Sequence, residues 1–424
     1  MSMAFLKNRL TVFEHQLVRV NEQVGGFIFS PSVFKDLQEF YGEKGVPYFS
    51  LHHKSVQFCE YVGVIQVGGT TIEVLPKADR HENEASWREL LIDMIRTVGV
   101  FNVSAPSSSS LKVKHNSILD LYIELFITEL ETLIHRGLVK QYRKLDHQST
   151  ALKGSLLFGQ HIQKNVVHQE RFFVRNTVYD VQHLLHGIFY QAICLLERIN
   201  PNAVLASRIG ALLLNFPEQQ GLRIDEALFE KIVLTRKTES YKNALEIARL
   251  LLLNYHPNVN KGRNHVLALM FDMNQLWEKF VYAALKAELR QLVPGFAVSA
   301  QTSLNFWKPG KGQSSTIRPD IRIRYGVQQE LCVVLDTKWK NLNGYNPTPE
   351  DLRQLYVYHE YFEAEKVALV YPGRFTDRKG HYYQKNQLPG DKECSVMGIP
   401  VNLSVKSWRI AIANQVLSWI QETG

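Results

Sequence analysis

The chain reads Arg318-Pro-Asp-Ile-Arg-Ile-Arg324 and, after a short gap, Leu331-Cys-Val-Val-Leu-Asp-Thr-Lys-Trp-Lys340. Both stretches are strand-like, the second a continuous apolar run of the kind that is buried on both faces. Asp320 opens the first strand. Asp336 and Lys338 stand near the end of the second, where the strand period of two puts both side chains on one face. A hairpin through Gly326 brings the two strands together and lets Asp320 approach Asp336. An acid-x-Lys triplet recurs by chance in any chain of this length, and an ion pair at a strand end would look the same. The context raises its weight, because charges placed directly after Val333-Val334-Leu335 are costly to bury unless they serve a purpose.

Two neighbouring carboxylates repel, and the cost falls when a cation joins them. Hard oxygen donors that leave room for water are what Mg²⁺ prefers. Lys338 beside them can orient or help deprotonate a metal-bound water, or stabilise negative charge growing on a phosphorus centre.

Outward from this pair, the spacing of Leu276, Trp277, Phe280, Val281, Ala284 and Leu285 predicts a helix over residues 273–292. Strands are expected near 297–304, 317–325 and 331–337, then a helix over 349–363 and a short buried strand at 366–371. The order is α-β-β-β-α-β. Upstream, Tyr61-Val-Gly-Val-Ile-Gln-Val-Gly-Gly-Thr-Thr-Ile-Glu-Val-Leu-Pro-Lys77 reads as two strands around a Gly68-Gly69 turn. A helix over about 86–98 follows, and the Ser-rich stretch 104–110 reads as a linker. Helices are then expected from Asn116 or Ser117 to Leu138, and over about 178–198, 201–214 and 241–253. The fold class is mixed α/β in three parts: a β-rich N-terminal domain (1–103), a mainly helical, basic middle region (104–254) and a C-terminal αβββαβ domain (255–424). The segment 136–175 in the middle holds Arg136, Lys140, Arg143, Lys144, Lys153, Lys164, Arg171 and Arg175 among aromatic residues. It reads equally well as a phosphate-contacting surface or as a solvated face around packed rings.

The 424 residues are 45% hydrophobic and 21% charged, which excludes disordered and collagen-like chains. Lys plus Arg outnumber Asp plus Glu by 49 to 41, a net +8 that favours an anionic polymer as partner. Cys59, Cys194, Cys332 and Cys394 form no CxxC pair. No secretory leader and no run near the ~18 apolar residues of a membrane span is expected, so the location read from the sequence is the cytoplasm.

Pro319-Asp320 followed by Asp336-Thr-Lys338 resembles the core of the PD-(D/E)xK nucleases. More specifically, the chain resembles the McrC family, the nuclease subunits of the McrBC modification-dependent restriction system. Three further stretches carry that likeness: Gly63 to Lys77, Gly154 to Asp180 with Arg171-Phe-Phe-Val-Arg175, and Met273-Asn-Gln-Leu-Trp-Glu-Lys-Phe-Val281. The resemblance implies a Mg²⁺-dependent DNA endonuclease with Asp320 and Asp336 as metal ligands and Lys338 as catalytic cation. It adds Glu278 of the first helix as an auxiliary metal ligand, although a polar neighbour of Trp277 would look alike. Gln354, in a Gln-x₃-Tyr element completed by Tyr358, is implied as a positioning residue. The implied partners are DNA, methylated on cytosine, and an McrB-like AAA+ GTPase hexamer whose hydrolysis McrC stimulates. Two alternatives stand beside it: a non-catalytic adaptor that activates the ring, and a PD-(D/E)xK nuclease of another defence or repair system.

The chain has no G-x₄-GK[ST] loop; Gly310-Lys-Gly312 lacks the spacing and the strand-to-helix setting. No G-x-S-x-G motif supports a serine nucleophile. His52-His53 would point to opposite faces of a strand, and His183 with His186 lacks a third zinc ligand.

Overall fold

The computed structural model describes residues 9–43, 45–67, 70–76, 84–98, 118–200, 202–219, 221–257, 265–293, 295–326, 328–340, 346–373, 378–401 and 404–422. The Gly68-Gly69 turn, the Ser-rich stretch 104–110 and the cap at Asn116 or Ser117 lie outside them. The chain divides into two compact units, one formed by residues 1–100 with 257–424 and the other by residues 101–256. The architecture is mixed α/β.

In the first unit, Tyr61–Val67 pairs antiparallel with Thr70–Leu75, as the flanking sequence of the Gly-Gly pair requires. Arg9–Phe13 adds in parallel to Thr70–Leu75. On the other edge of Tyr61–Val67 lies His265–Asp272, antiparallel. The sequence reading placed no element there, because the run Val266-Leu-Ala-Leu-Met-Phe271 has no period that separates a buried strand from a buried helix. Gly63 makes this junction possible. Its φ is +139°, and a Cβ at that position would sit 2.1 Å from the carbonyl oxygen of Leu269. One face of the sheet buries Leu10, Val12, Ile65, Ile72 and Val74 against Phe29, Leu37, Phe49 and Phe58. The helix Glu84–Val98 buries Trp87, Leu90, Leu91 and Met94, the stripe its spacing predicts. Glu73, fully buried, is neutralised by Arg9 and by Arg88 at 2.8 Å.

The strand His265–Asp272 feeds directly into the helix Met273–Leu292, whose N-terminus Asp272 caps through the backbone N–H groups of Asn274 and Gln275. Beyond it runs a second sheet in the order Ala297–Ala300, Ile321–Tyr325, Leu331–Thr337, Lys366–Pro372, Pro389–Ile399, Arg378–Tyr383. The first three strands are antiparallel neighbours. Leu331–Thr337, Lys366–Pro372 and Pro389–Ile399 are parallel, and the edge strand returns antiparallel. Leu355, Tyr358 and Phe362 of the helix Pro349–Tyr361 and its end pack with Cys332, Val334, Leu369 and Val396. The helix Met273–Leu292 packs with Val405–Gln421, with Trp408 5.2 Å from Trp277 and 4.9 Å from Phe280 between ring centroids. Central strands buried on both faces explain the apolar runs read at 331–337 and 366–371. The two strands and the helix after residue 372 were not foreseen.

The second unit contains the helices Ile118–Arg136, Leu184–Ile199, Ala203–Asn215 and Lys242–Leu253, packed around Tyr122, Phe126, Phe189 and Tyr241. It is less purely helical than expected. Residues of the basic segment form a three-stranded antiparallel sheet from Gln141–Ser149, Phe172–Asp180 and Ser155–Leu156. Val178 lies within a strand that runs to Asp180 rather than opening a helix, and the helix begins at Leu184. Alternating half-buried and exposed residues along Gln141–Ser149 give the strand period, which the eye passes over because charges occupy both faces. His183 caps the Leu184–Ile199 helix, and His186 is buried between the Val181 carbonyl and the Tyr241 hydroxyl.

Candidate active site

The pairing of Ile321 with Leu335 continues by one step to set Asp320 across from Asp336. Residues directly opposite in an antiparallel pair share a face. Asp320 is fixed through one oxygen: the backbone N–H and the hydroxyl of Thr337 donate to its Oδ2 at 2.7 and 2.9 Å. Asp336 is 1% exposed. Burial, followed by the repulsion of Asp320, pushes its carboxyl up to about 7, against the pull of Lys338. Its Oδ1 is buried and makes no hydrogen bond. A carboxylate this deep is held charged only by a cation.

Lys338 brings one such cation, with Nζ 2.8 Å from Oδ2 of Asp336. The strand has ended by then, and the Lys338 N–H donates to the Val370 carbonyl at 3.0 Å, which fixes the backbone on the neighbouring strand. Burial of the ammonium works against its charge. Asp336, and behind it Asp320 and Asp351, outweighs that, so Lys338 holds its proton more firmly than a free lysine. Asp351, in the first turn of the helix that Thr348 caps, lies 3.9 Å from Lys338 and 2.9 Å from Lys340. The sequence reading did not single it out; the Thr348-Pro-Glu-Asp351 capping pattern places it at a helix start but says nothing of what that start faces.

Glu278 sits on the Met273–Leu292 helix and accepts a hydrogen bond from Gln301 Nε2 at 2.8 Å. Burial first, and then the charge of Asp320, raise its carboxyl above the ordinary value. Gln301 itself is held at φ +49°, in the left-handed region that non-glycine residues rarely adopt, and its N–H donates to the Asp320 carbonyl at 3.0 Å. It thus ties Glu278 and Asp320 together, a role with no sequence signal. Among the described residues, no three His, Cys, Asp or Glu side chains converge as a ready cation cage.

Gln354 and Tyr358 share a helix face, as their spacing requires. Gln354 Nε2 donates to the Tyr358 hydroxyl at 2.7 Å, which donates in turn to the Arg318 carbonyl at 3.1 Å. Tyr358 is pushed upward by burial and then by the charge of Asp336. Trp339 locks the loop after Lys338: its N–H donates to Asn274 Oδ1 at 3.1 Å and its Nε1–H to Glu14 Oε1 at 2.8 Å. Its ring stands 5.5 Å from that of Trp277.

The geometry defines a mixed α/β protein in which a buried carboxylate, a second carboxylate across the strand and an ammonium meet at the end of a sheet. The family of McrBC 5-methylcytosine restriction system components matches residues 56–372, most of the chain. The chain belongs to that family. It resembles, at 19% identity and a TM-score of 0.67, a chain in the half-complex of a Thermococcus gammatolerans tetradecameric assembly of McrB AAA+ hexamers with bound McrC. That likeness covers 96% of this chain and 100% of the other. A second likeness, to a chain of the Thermococcus gammatolerans McrBC complex, has 20% identity and a TM-score of 0.50 over 66% of this chain and 88% of that one. No curated protein matches the chain significantly. Among the described residues, no helix is long and apolar enough to cross a membrane.

Proposed function

We propose that this chain is the DNA-cleaving subunit of a modification-dependent restriction complex, hydrolysing phosphodiester bonds at Asp320, Asp336 and Lys338 on a PD-(D/E)xK fold. The observation that carries the reading is Asp336: a nearly inaccessible carboxylate, opposite another, with one oxygen paired to an ammonium and the other without a hydrogen bond. A purely structural ion pair could be exchanged as a whole for apolar residues at little cost, so its charges are kept for another purpose.

The donor set suits Mg²⁺. It is all oxygen, and two protein carboxylates are what that ion ordinarily takes while keeping several waters. Asp320 and Asp336 would hold it, with Glu278 near enough to feel the charge of Asp320. When bound, Mg²⁺ supplies Lewis acidity toward a phosphoryl oxygen and lowers the pKa of a coordinated water. The protein's own groups do the rest. Lys338, kept protonated by Asp336, offers positive charge to the phosphate rather than acting as the base. Thr337 orients Asp320, and Gln354 with Tyr358 fixes Arg318 and the backbone leading into Asp320.

The likeness to an assembly of McrB hexamers with bound McrC supports a ring-shaped AAA+ GTPase as partner, and the family supports DNA carrying 5-methylcytosine as substrate. The test is cleavage of methylated and unmethylated DNA by the full chain with Mg²⁺, with and without an McrB-like partner and GTP. The reading expects cutting that disappears in the Asp336→Ala/Lys338→Ala double variant while the ring still assembles. Cutting retained by the double variant rejects the assignment. Full restriction in cells without these side chains favours an adaptor.

A further inference from the structure

The Gly310-Lys-Gly312 stretch, which is no nucleotide loop, caps a two-stranded antiparallel ribbon made of Leu304–Trp307 and Ser315–Ile317. All four residues of the first strand are exposed, with Phe306 at 46% and Trp307 at 59%. An isolated ribbon of two strands is marginal in water. This one is tethered at two points: Ile317 at its base packs against the core under the Pro349–Tyr361 helix, and Phe306 further along meets Tyr361 edge-on at 5.2 Å. Trp307 has no such cover and leaves a large ring in solvent.

The charge of the ribbon is one-sided. Residues 302–319 include Lys308, Lys311 and Arg318 and no Asp or Glu. Lys308 and Lys311 are both exposed. The second strand runs from Ile317 through Arg318-Pro319 straight into Asp320. A polyanion approaching Asp320, Asp336 and Asp351 meets negative charge there, and the ribbon supplies the opposite sign on the strand that leads into Asp320.

We propose that this ribbon is a DNA-gripping element: Lys308 and Lys311 contact the sugar-phosphate backbone, and Trp307 packs on a base or sugar of the duplex whose backbone reaches the Asp320–Asp336 site. It rests on the cleavage reading for its position. An acid-free cationic tip next to an exposed indole is the combination that tracks a nucleic-acid backbone and stacks on it. A two-stranded ribbon also has the dimensions that the major groove of a duplex admits. Gly310 has open space around its Cα, and Gly312 takes φ +115°, so the tip can come close to a backbone without a side chain in the way. A protein-docking surface would need the apolar residues but not the unbalanced lysines.

The test uses the full chain carrying Asp336→Ala, without Mg²⁺, and a fluorescein-labelled DNA duplex followed by anisotropy across a salt series. Adding Lys308→Ala and Lys311→Ala should make the slope of log affinity against log salt shallower by about two. Trp307→Ala should weaken binding by at least about fivefold, with Trp307→Phe retaining most of it. Unchanged affinity and slope in these variants overturn the proposal, as does a parent chain that does not bind the duplex. Variants that bind DNA normally but no longer hold an McrB-like ring overturn it in favour of protein docking. Cleavage by the otherwise unmodified Asp336→Ala chain, alongside lysine-dependent binding, would remove the catalytic assignment and leave the ribbon's role intact.

Discussion

Lys338 sets its Nζ 2.8 Å from Oδ2 of Asp336, in a position where the carboxylate is 1% exposed and the lysine keeps a quarter of its side-chain surface in solvent. The pair is asymmetric. The acid is buried, whereas the lysine keeps part of its side chain in contact with solvent.

The first prediction concerns pH. The Asp336 carboxyl is raised from 3.8 to about 7 in the folded, metal-free chain. Between about pH 4 and 7 the unfolded chain has released that proton while the native chain keeps it, so stability falls as pH rises through this window. Denaturant titrations across it should show the fall, and Asp336→Asn should flatten it. Added Mg²⁺ should also flatten it, because the cation favours the ionised acid.

A second prediction concerns the loop after Lys338. Trp339→Phe keeps an aromatic ring, though a smaller one, and removes the Nε1–H that donates to Glu14. The loss of a buried hydrogen bond to a carboxylate should cost roughly 1.5–3 kcal/mol, measured by urea unfolding. DNA cleavage should fall with it, since this contact holds the backbone beside Lys338. The neighbouring Gln354→Ala change should lower cleavage while costing no more than about 1 kcal/mol, because its partner Tyr358 keeps its bond to Arg318.

The third concerns fold integrity. Tyr61–Val67 and His265–Asp272 are adjacent strands of one sheet, so fragments that separate them should fail to fold. Residues 1–100 alone and residues 257–424 alone should give collapsed, protease-sensitive material in circular dichroism and limited proteolysis. Residues 118–256, with their own buried Tyr122, Phe126, Phe189 and Tyr241, should give a cooperative melt. Gly63→Ala should prevent soluble expression of the full chain, because its Cβ would collide with the Leu269 carbonyl.

What could be read in advance follows the physics of each signal. Leu331–Thr337 was legible because a buried central strand is apolar without interruption, and Asp336 and Lys338 stood out against it. A hairpin through Gly326 was then enough to let Asp320 approach Asp336, while the register itself comes from the pairing of Ile321 with Leu335. Gln301 was invisible: its value lies in a left-handed backbone and a contact with Glu278 across the fold, neither of which leaves a local pattern. Asp351 and Trp339 were missed for a similar reason, as their partners Lys340 and Glu14 are set by tertiary packing. The sheet at Gln141–Ser149 was hidden because charged and polar residues fill both of its faces, so the strand period carries no hydrophobic contrast.

The central claim is that Asp320 and Asp336 jointly hold a divalent ion, and Mn²⁺ binding followed by electron paramagnetic resonance tests it most directly. The full chain should bind Mn²⁺ in competition with Mg²⁺, and either Asp320→Ala or Asp336→Ala should lower that affinity at least about tenfold with the fold unchanged by circular dichroism. Equal Mn²⁺ affinity in the parent chain and the folded Asp336→Ala variant would contradict the account.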